Sequence, residues 1–368
     1  MTVSAAPSRV PLRVGVRKLL FGALGALSTP HHPDRYLELA DPLLTTVANR
    51  ARITSIDTSV HGSTTLTLRP ARPCRFEPGQ HIQLAVVIDG VRHVRTFSPA
   101  IVPGSRDVVL TVGVRPGGLV SGHLAEHARL GDVVEVGDGA GSFVLPESRP
   151  SRLLMISGGS GITPVLSMVG SLASESGTSA VTFVHYARTS AHVPRRAELD
   201  ALASLPNVEV VLAHTRGEGG HLHGRFERAH LDAVAPWFAS TPAYVCGPSG
   251  LVESVRDLYA EAGSSDLLHT EIFTPPTYVV DPDDASGSVS FTASGIVAAN
   301  TGATVLEQAE NAGLAPEHGC RMGICHTCTA IRNSGCTRDV RTGDLDSEPG
   351  ARIQICVSAP VGNVAVEL

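Results

Sequence analysis

Three thiols crowd into Cys320-RMGI-Cys325-HT-Cys328, and a fourth, Cys356, stands well downstream, giving the spacing C-x4-C-x2-C…C. That spacing suits a 2Fe-2S cluster, because two irons need four thiolates, three from a loop that wraps the cluster and one from a distant strand. Gly319 and Gly323 keep the loop thin, so that backbone amides can approach the sulfurs and tune the cluster. A structural zinc site is the competing chemistry, but such sites usually pair two short C-x-x-C hooks. Cys74, Cys246 and Cys336 lie outside the motif, and a lone thiol ordinarily packs as a small buried hydrophobe. Seven cysteines, an odd number crowded in this way, do not form a spread disulfide framework and imply a reducing, cytoplasmic compartment.

A second chemistry is written into LLMISGGSGITPVLSM, where an apolar strand passes through Gly158, Gly159, Ser160, Gly161, Ile162 and Thr163 into a helix. Glycines admit a ligand close to the backbone, and the amides at a helix start point at negative charge, so the turn suits a diphosphate; tight packing is the alternative. The run AYVCGP ends in Cys246-Gly247-Pro248, which puts a thiol and a tight turn at the carboxyl edge of the same sheet, where ligands of open parallel sheets bind. After the strand AVTFVHYA come Arg188, Thr189, Ser190, and then Arg195 and Arg196, with no acidic residue at the strand end. A 2′-phosphate wants cations and a bare ribose usually a carboxylate, so NADPH is the expected donor and NADH the alternative. Arg188 is the first candidate for that phosphate, with Arg195 beside it and Arg216 and Arg225 weaker on the same side; solvated arginines at a helix start are the bland reading.

These residues need rigid elements to hold them. At 368 residues the chain exceeds what one core usually serves. Between about residues 47 and 149 short alternating runs such as TTLTLRP, HIQLAVVID and DVVLTVGV are separated by Gly and Pro, the pattern of an antiparallel β-barrel. Residues 150–274 alternate continuous apolar runs with helical stretches, which predicts an α/β domain on a parallel sheet. The Pro, Asp, Gly and Ser of residues 275–287 read as a linker, and residues 288–368 carry a strand, a helix TVLEQAENAGL, the cysteine loop and a final run RIQICVSAP. Residues 1–46 form an amino-terminal arm, in which Arg13, Arg17 and Lys18 precede the apolar run LLFGALGAL. That run is too short to span a membrane; it resembles a secretion signal superficially, and otherwise suits a helix that packs on its own protein or lies on a membrane surface. With 29 Lys and Arg against 35 Asp and Glu, the net charge of −6 argues against a nucleic-acid partner.

Residues 288–368, with their four cysteines, resemble the plant-type ferredoxins, which implies a β-grasp fold. GGSGITP with CGP resembles the nucleotide domain of the ferredoxin-NADP reductase superfamily. There these segments hold the diphosphate and border the nicotinamide, which implies roles for Gly159, Gly161 and Thr163 on the nucleotide and for Cys246, Gly247 and Pro248 beside the hydride path. Arg95-Thr96-Phe97-Ser98 is similar to the R-x-Y-S motif of the same superfamily. The resemblance implies that Arg95 pairs with a flavin phosphate, Phe97 lies against the isoalloxazine and Ser98 bonds near its reactive nitrogen; Phe for Tyr keeps the stacking surface and loses a hydroxyl. Gly117, Gly118 and Ser121 match the G-x-x-S turn that holds the diphosphate of FAD, and Glu271 with Phe273 resembles the acidic-aromatic end that approaches the flavin in relatives.

The chain is therefore expected to take a hydride from NADPH onto FAD and to pass single electrons out through its cluster. No ligand set for a terminal oxygen-activating metal is visible, so the acceptor is expected to be a separate protein. HHPDRYLELADPLLT and the basic stretch before it resemble the arm of actinobacterial reductases that serve membrane fatty-acyl desaturases. A desaturase is the first expectation for the partner, with peripheral membrane contact through the arm; a ring-hydroxylating oxygenase, a monooxygenase or a P450 is the alternative. A redox-sensing iron-sulfur protein without hydride chemistry is the remote alternative, disfavoured by intact flavin and nucleotide motifs.

Overall fold

The computed structural model describes residues 33–101, 104–114, 117–175, 179–273 and 285–368. Most of the arm, including its basic apolar stretch, and most of the expected linker lie outside them. Helix α1 (Pro33–Ala40) and the turn after it are tied to the next domain by Arg50–Glu38 and Arg52–Asp41 ion pairs of 2.9 and 3.0 Å. Among the described residues no helix is long and apolar enough to cross a membrane.

The first domain is a seven-stranded antiparallel sheet. Its strands are β1 (Arg50–Asp57), β2 (Ser63–Pro70), β3 (Ile82–Ile88), β4 (Val91–Phe97), β5 (Pro99–Ile101), β6 (Val108–Gly113) and β7 (Val133–Val136), in the order β4-β3-β7-β1-β2-β6-β5. Alternation sends Leu66, Leu68, Leu84 and Leu110 inward, each fully buried. Asp89 and Gly90, both at positive φ, make the two-residue turn that sets the register of β3 against β4. Helix α2 (Leu119–Glu126) closes one end, burying Val120 and Leu124.

The second domain is a parallel sheet of β8 (Arg152–Gly158), β9 (Ala180–Ala187), β10 (Val208–His214), β11 (Leu222–His223), β12 (Ala243–Gly247) and β13 (Leu268–Ile272), in the order β11-β10-β9-β8-β12-β13. Its strands read as continuous apolar runs because both faces are covered. Met155, Phe183 and Tyr244 join one core, and Leu154, Val184 and Val245 the other. Helices α3 (Ile162–Ser174), α4 (Arg196–Ala203), α5 (Arg228–Val234) and α6 (Ser249–Glu261) flank the sheet. Strand order reverses between β8 and β12, so the turn leaving β8 and the turn leaving β12 meet at the edge where such sheets bind ligands.

In the third domain β14 (Ser288–Phe291), β15 (Ile296–Ala299), β16 (Thr329–Asp339), β17 (Leu345–Asp346), β18 (Ala351–Gln354) and β19 (Ser358–Val366) form a mixed sheet in which β18 branches off β16. Helix α7 (Val305–Asn311) starts at a capping box, the Thr304 side chain accepting from the Glu307 amide and Glu307 returning the bond. It buries Val305, Leu306 and Ala309 in one core with Phe291 and Val366. The run RIQICVSAP divides in two: β18 ends at Gln354 and Cys356 sits in the tight turn before β19. The amide of Ile355 donates to Cys328 O at 3.1 Å, which draws this turn onto the cysteine loop.

Candidate active site and cluster loop

The cysteine loop between α7 and β16 brings Cys320, Cys325 and Cys328 to the turn that carries Cys356, and none of the four is in a disulfide. Backbone amides already point at the sulfurs: Cys320 N–H to Cys325 Sγ at 3.2 Å, and Met322 and Ile324 N–H to Cys320 Sγ at 3.3 and 3.4 Å. Such donors favour thiolate over thiol. Contact with Cys356 pulls the Cys328 thiol down to about 7. A Cβ on Gly319 would lie 2.9 Å from Cys325 Sγ, so only glycine fits beside the thiol cage. The donor set suits a two-iron cluster, which spreads four thiolates over two metals.

This loop lies against the barrel. Gln83 Nε2 on β3 donates to Thr327 Oγ1 at 3.1 Å and approaches Cys325 O at 3.5 Å, while Arg95 Nη1 on β4 donates to Gly319 O at 3.3 Å and to Val94 O at 2.7 Å. Gln83 and Leu84 pair with Thr96 and Arg95 across the hairpin, so the cluster loop contacts the same hairpin that carries the RTFS segment. Phe97 is half-buried at the end of β4, and Ser98, which follows it, is 3% exposed.

Ser98 Oγ is buried without a hydrogen-bond partner, as are both ring nitrogens of His81 and Glu271 Oε2. Burial without partners costs roughly 1–3 kcal/mol per group, so clustered orphans of this kind call for a bound molecule. A hydroxyl, an imidazole and a carboxyl are groups that a flavin ring can pair with, so their donor and acceptor chemistry fits FAD. Gly118 is the amino-terminal cap of α2 and Gly117 precedes it at φ +71°, with Ser121 in the first turn.

At the nucleotide sheet, a short 3-10 turn, Gly159–Gly161, links β8 to α3. A Cβ on Gly161 would fall 2.3 Å from Cys246 O, so this glycine lets the two ligand-binding turns touch. Thr163 is buried and its hydroxyl donates to Ser160 O at 3.3 Å, so its side chain fixes the shape of the turn. Cys246 is fully buried, pairs in register with Glu271 and is held as the neutral thiol, first by burial and then by that carboxyl. Burial raises the Glu271 carboxyl above its usual range, and His81, 3.7 Å away, pulls in the opposite direction. Phe273 packs against the core that holds Cys246.

A cleft of about 820 Å³ begins at Gly158, Gly159 and Pro248 and runs along the strand ends to Arg188, Arg216 and Arg225. Arg195 is not among its lining residues. It occupies a left-handed conformation, φ 55°, ahead of α4, and its guanidinium pairs with Glu198.

Three family matches partition the chain along these lines: an oxidoreductase FAD-binding domain over residues 51–144, an oxidoreductase NAD-binding domain over 155–257 and a 2Fe-2S iron-sulfur cluster binding domain over 292–361. An NADPH oxidoreductase of Mycobacterium tuberculosis is 35% identical over 350 residues, covering 93% of this chain and 90% of the relative. The chain belongs to the ferredoxin-NADP reductase superfamily, in the branch with a carboxyl-terminal 2Fe-2S domain. It is an NAD(P)H-dependent oxidoreductase whose cofactors are FAD and a 2Fe-2S cluster. The glycine betaine monooxygenase reductase subunit of Pseudomonas aeruginosa is 29% identical over 318 residues, 79% of this reductase and 87% of the relative. Phthalate dioxygenase reductase, a solved structure, aligns with TM-score 0.60 and 25% identity over 87% of this chain and 97% of its own.

Sequence reasoning missed two residues of the reductase's site. His81 stood in PGQHIQL with nothing to mark it except a histidine where an inward position of β3 was about to begin. Gln83 is two residues on, on a strand whose polar positions ordinarily face solvent; its contact with the cluster loop spans more than two hundred residues, and no local pattern encodes it.

Proposed function

We propose that this reductase takes hydride from NADPH and delivers single electrons to a separate terminal oxygenase or fatty-acyl desaturase. The observation that carries this reading is the contact of the cluster loop with the hairpin that carries the RTFS segment, through Gln83–Thr327 and Arg95–Gly319. FAD, when bound, supplies the conversion of a two-electron hydride into single electrons that a 2Fe-2S cluster can carry outward.

Each residue then has a task. Cys320, Cys325, Cys328 and Cys356 hold the cluster. Phe97 offers a flat apolar face to the flavin ring, Ser98 Oγ a hydrogen bond beside its reactive nitrogen, and Thr96 its strand position between them. Arg95 serves the flavin phosphate from the same β4 position that reaches Gly319, while Gly117, Gly118 and Ser121 present the start of α2 to the diphosphate of FAD. Gly159, Gly161 and Thr163 shape the turn for the nucleotide's diphosphate, with Gly247 and Pro248 facing it. Cys246 and Glu271 border the hydride path as a neutral thiol and a weakly acidic carboxyl, and Phe273 backs them. Arg188 at the end of β9 serves the 2′-phosphate; Arg195, paired with Glu198, is left out of that role.

Two sets of facts bear on the acceptor. The relatives named as reductase subunits of monooxygenases support an oxygenase. The resemblance of residues 31–45 to the arm of desaturase-serving reductases supports a membrane desaturase and peripheral contact through residues 1–46. Anaerobic stopped-flow reduction with NADPH and NADH side by side tests the donor and the order of flavin and iron bleaching. Full cytochrome c reduction by a Cys325→Ser variant would remove the cluster from the path. Unchanged membrane association and desaturase coupling after deletion of residues 1–46 would leave the oxygenase reading alone.

A further inference from the structure

The cation-lined end of the nucleotide cleft is not built by the nucleotide domain alone. His61 and Gly62, from the turn between β1 and β2 of the flavin barrel, line the same cleft as Arg188, His192, Thr215, Arg216 and Arg225. The His61 amide donates to Ala191 O at 3.1 Å, and the His61 ring meets that of His192 edge to face with centroids 5.5 Å apart. The turn is braced from behind, because Val114 N–H donates to Gly62 O at 2.9 Å. The adjoining Gly113 lies so close to Ser160 of the diphosphate turn that a Cβ there would meet Ser160 Oγ at 2.9 Å. The barrel therefore abuts the nucleotide domain at both the diphosphate turn and the far end of the cleft.

We propose that His61 is a donor-specificity residue contributed across the domain boundary, binding the phosphomonoester on the adenosine ribose together with Arg188, Arg216 and His192. The inference rests on the reading of NADPH as donor. A nucleotide whose diphosphate lies over Gly158 and Gly159 must run along the carboxyl ends of β9 and β10, which places its adenosine ribose among these side chains. The strand ends offer Arg188, Thr215 and Arg216 and no carboxylate. The acidic groups of the cleft, Glu253 and Asp257, both belong to α6. Burial first, and then Arg188, His61 and Arg216, lower the proton affinity of the His192 ring, in keeping with the cationic side chains gathered at this end of the cleft. Thr189 Oγ1 fixes that ring through Nδ1 at 2.8 Å.

Two probes separate the ribose phosphate from the rest of the nucleotide: adenosine 2′,5′-bisphosphate and adenosine 5′-monophosphate. Their binding is measured by calorimetry on the holoprotein, alongside kcat/KM for NADPH and NADH in ferricyanide reduction. His61→Ala should lower the preference for the bisphosphate, and the NADPH/NADH ratio of kcat/KM, by about tenfold, the low end for one hydrogen bond to a charged group because the site is partly exposed. His61→Asp should lower both further, since a carboxylate repels the phosphate and accepts from a bare ribose. His61 is exposed, so neither change threatens the fold, and melting temperatures should confirm it. If Arg188→Ala and Arg216→Ala abolish the preference while both His61 variants keep it, the cross-domain inference is overturned and the NADPH reading stands. If the wild-type protein binds the two probes equally and uses NADH as well as NADPH, the donor reading itself is overturned, and the inference with it.

Discussion

His81 Nδ1 of the flavin barrel lies 3.7 Å from Glu271 Oε1 of the nucleotide sheet, with both side chains buried. The separation exceeds a hydrogen bond, and the two side chains face each other across an interior boundary between domains. Burial favours the neutral carboxyl of Glu271, and His81 only partly restores its acidity.

This pair has a pH signature. The Glu271 carboxyl binds its proton more tightly folded than unfolded, so the native state holds more protons between the ordinary value of 4.5 and the raised one. Stability therefore falls as pH rises through that window and levels off above it. Glu271→Gln should flatten this part of the curve, seen as a smaller change in denaturation midpoint between pH 4 and pH 8 than in the wild type. An unchanged slope would mean that the buried carboxyl is not the group titrating.

Ser98 Oγ is buried and has no protein partner, which supports the proposed bond to the flavin. One hydrogen bond to a charge-developing group contributes about 1.5–3 kcal/mol, or roughly 10- to 100-fold in rate. Ser98→Ala should slow flavin bleaching by NADPH to that extent while flavin content stays full. Slowing confined to iron reduction would place Ser98 outside the hydride step.

Gln83 joins the β3 strand to the cluster loop through Thr327. Gln83→Ala removes a net contribution of about 1 kcal/mol, which lowers the docking equilibrium constant roughly fivefold. Stopped-flow traces at flavin and iron wavelengths should show the first phase unaltered and the second slowed. A change in the first phase alone would contradict a docking role.

How much of this was legible in the sequence follows from the range of each determinant. The four cysteines, GGSGITP and CGP are local in sequence, and their chemistry depends on spacing, so they were readable. The strands β2, β9 and β10 follow from period and composition. Strand β16 was not, because RNSGCTRD is polar and carries a glycine; it is held by pairing with β18 and β19, which lie downstream. Arg195 stood in sequence as a second candidate beside Arg188, and the left-handed turn at its backbone with its pairing to Glu198 is not written in any local pattern. His61, His81 and Gln83 make their contacts across domain boundaries, where sequence periodicity says nothing.

The strand that eluded the sequence also carries the last prediction. Arg332 on β16 is fully buried and donates to Thr337 Oγ1 at 2.6 Å, Asp346 O at 2.5 Å, Asp346 Oδ1 at 2.8 Å and Glu348 O at 2.8 Å. One guanidinium thus pins the loop through β17 against the sheet. Arg332→Ala leaves these acceptors without a donor and opens a void, at a cost of about 3 kcal/mol, lower than a fully enclosed pair would cost because Asp346 is half exposed. Arg332→Lys should recover little, since a single ammonium cannot span four acceptors in a planar fork. Because the loop folds back beside Arg341, which donates to Gly323 O at 3.0 Å, loss of the pin should also loosen the cluster loop. Denaturant unfolding followed at the iron-sulfur absorbance should shift to lower denaturant in both variants, with the flavin transition less affected. Equal shifts in the two transitions would mean that the third domain does not unfold as its own unit.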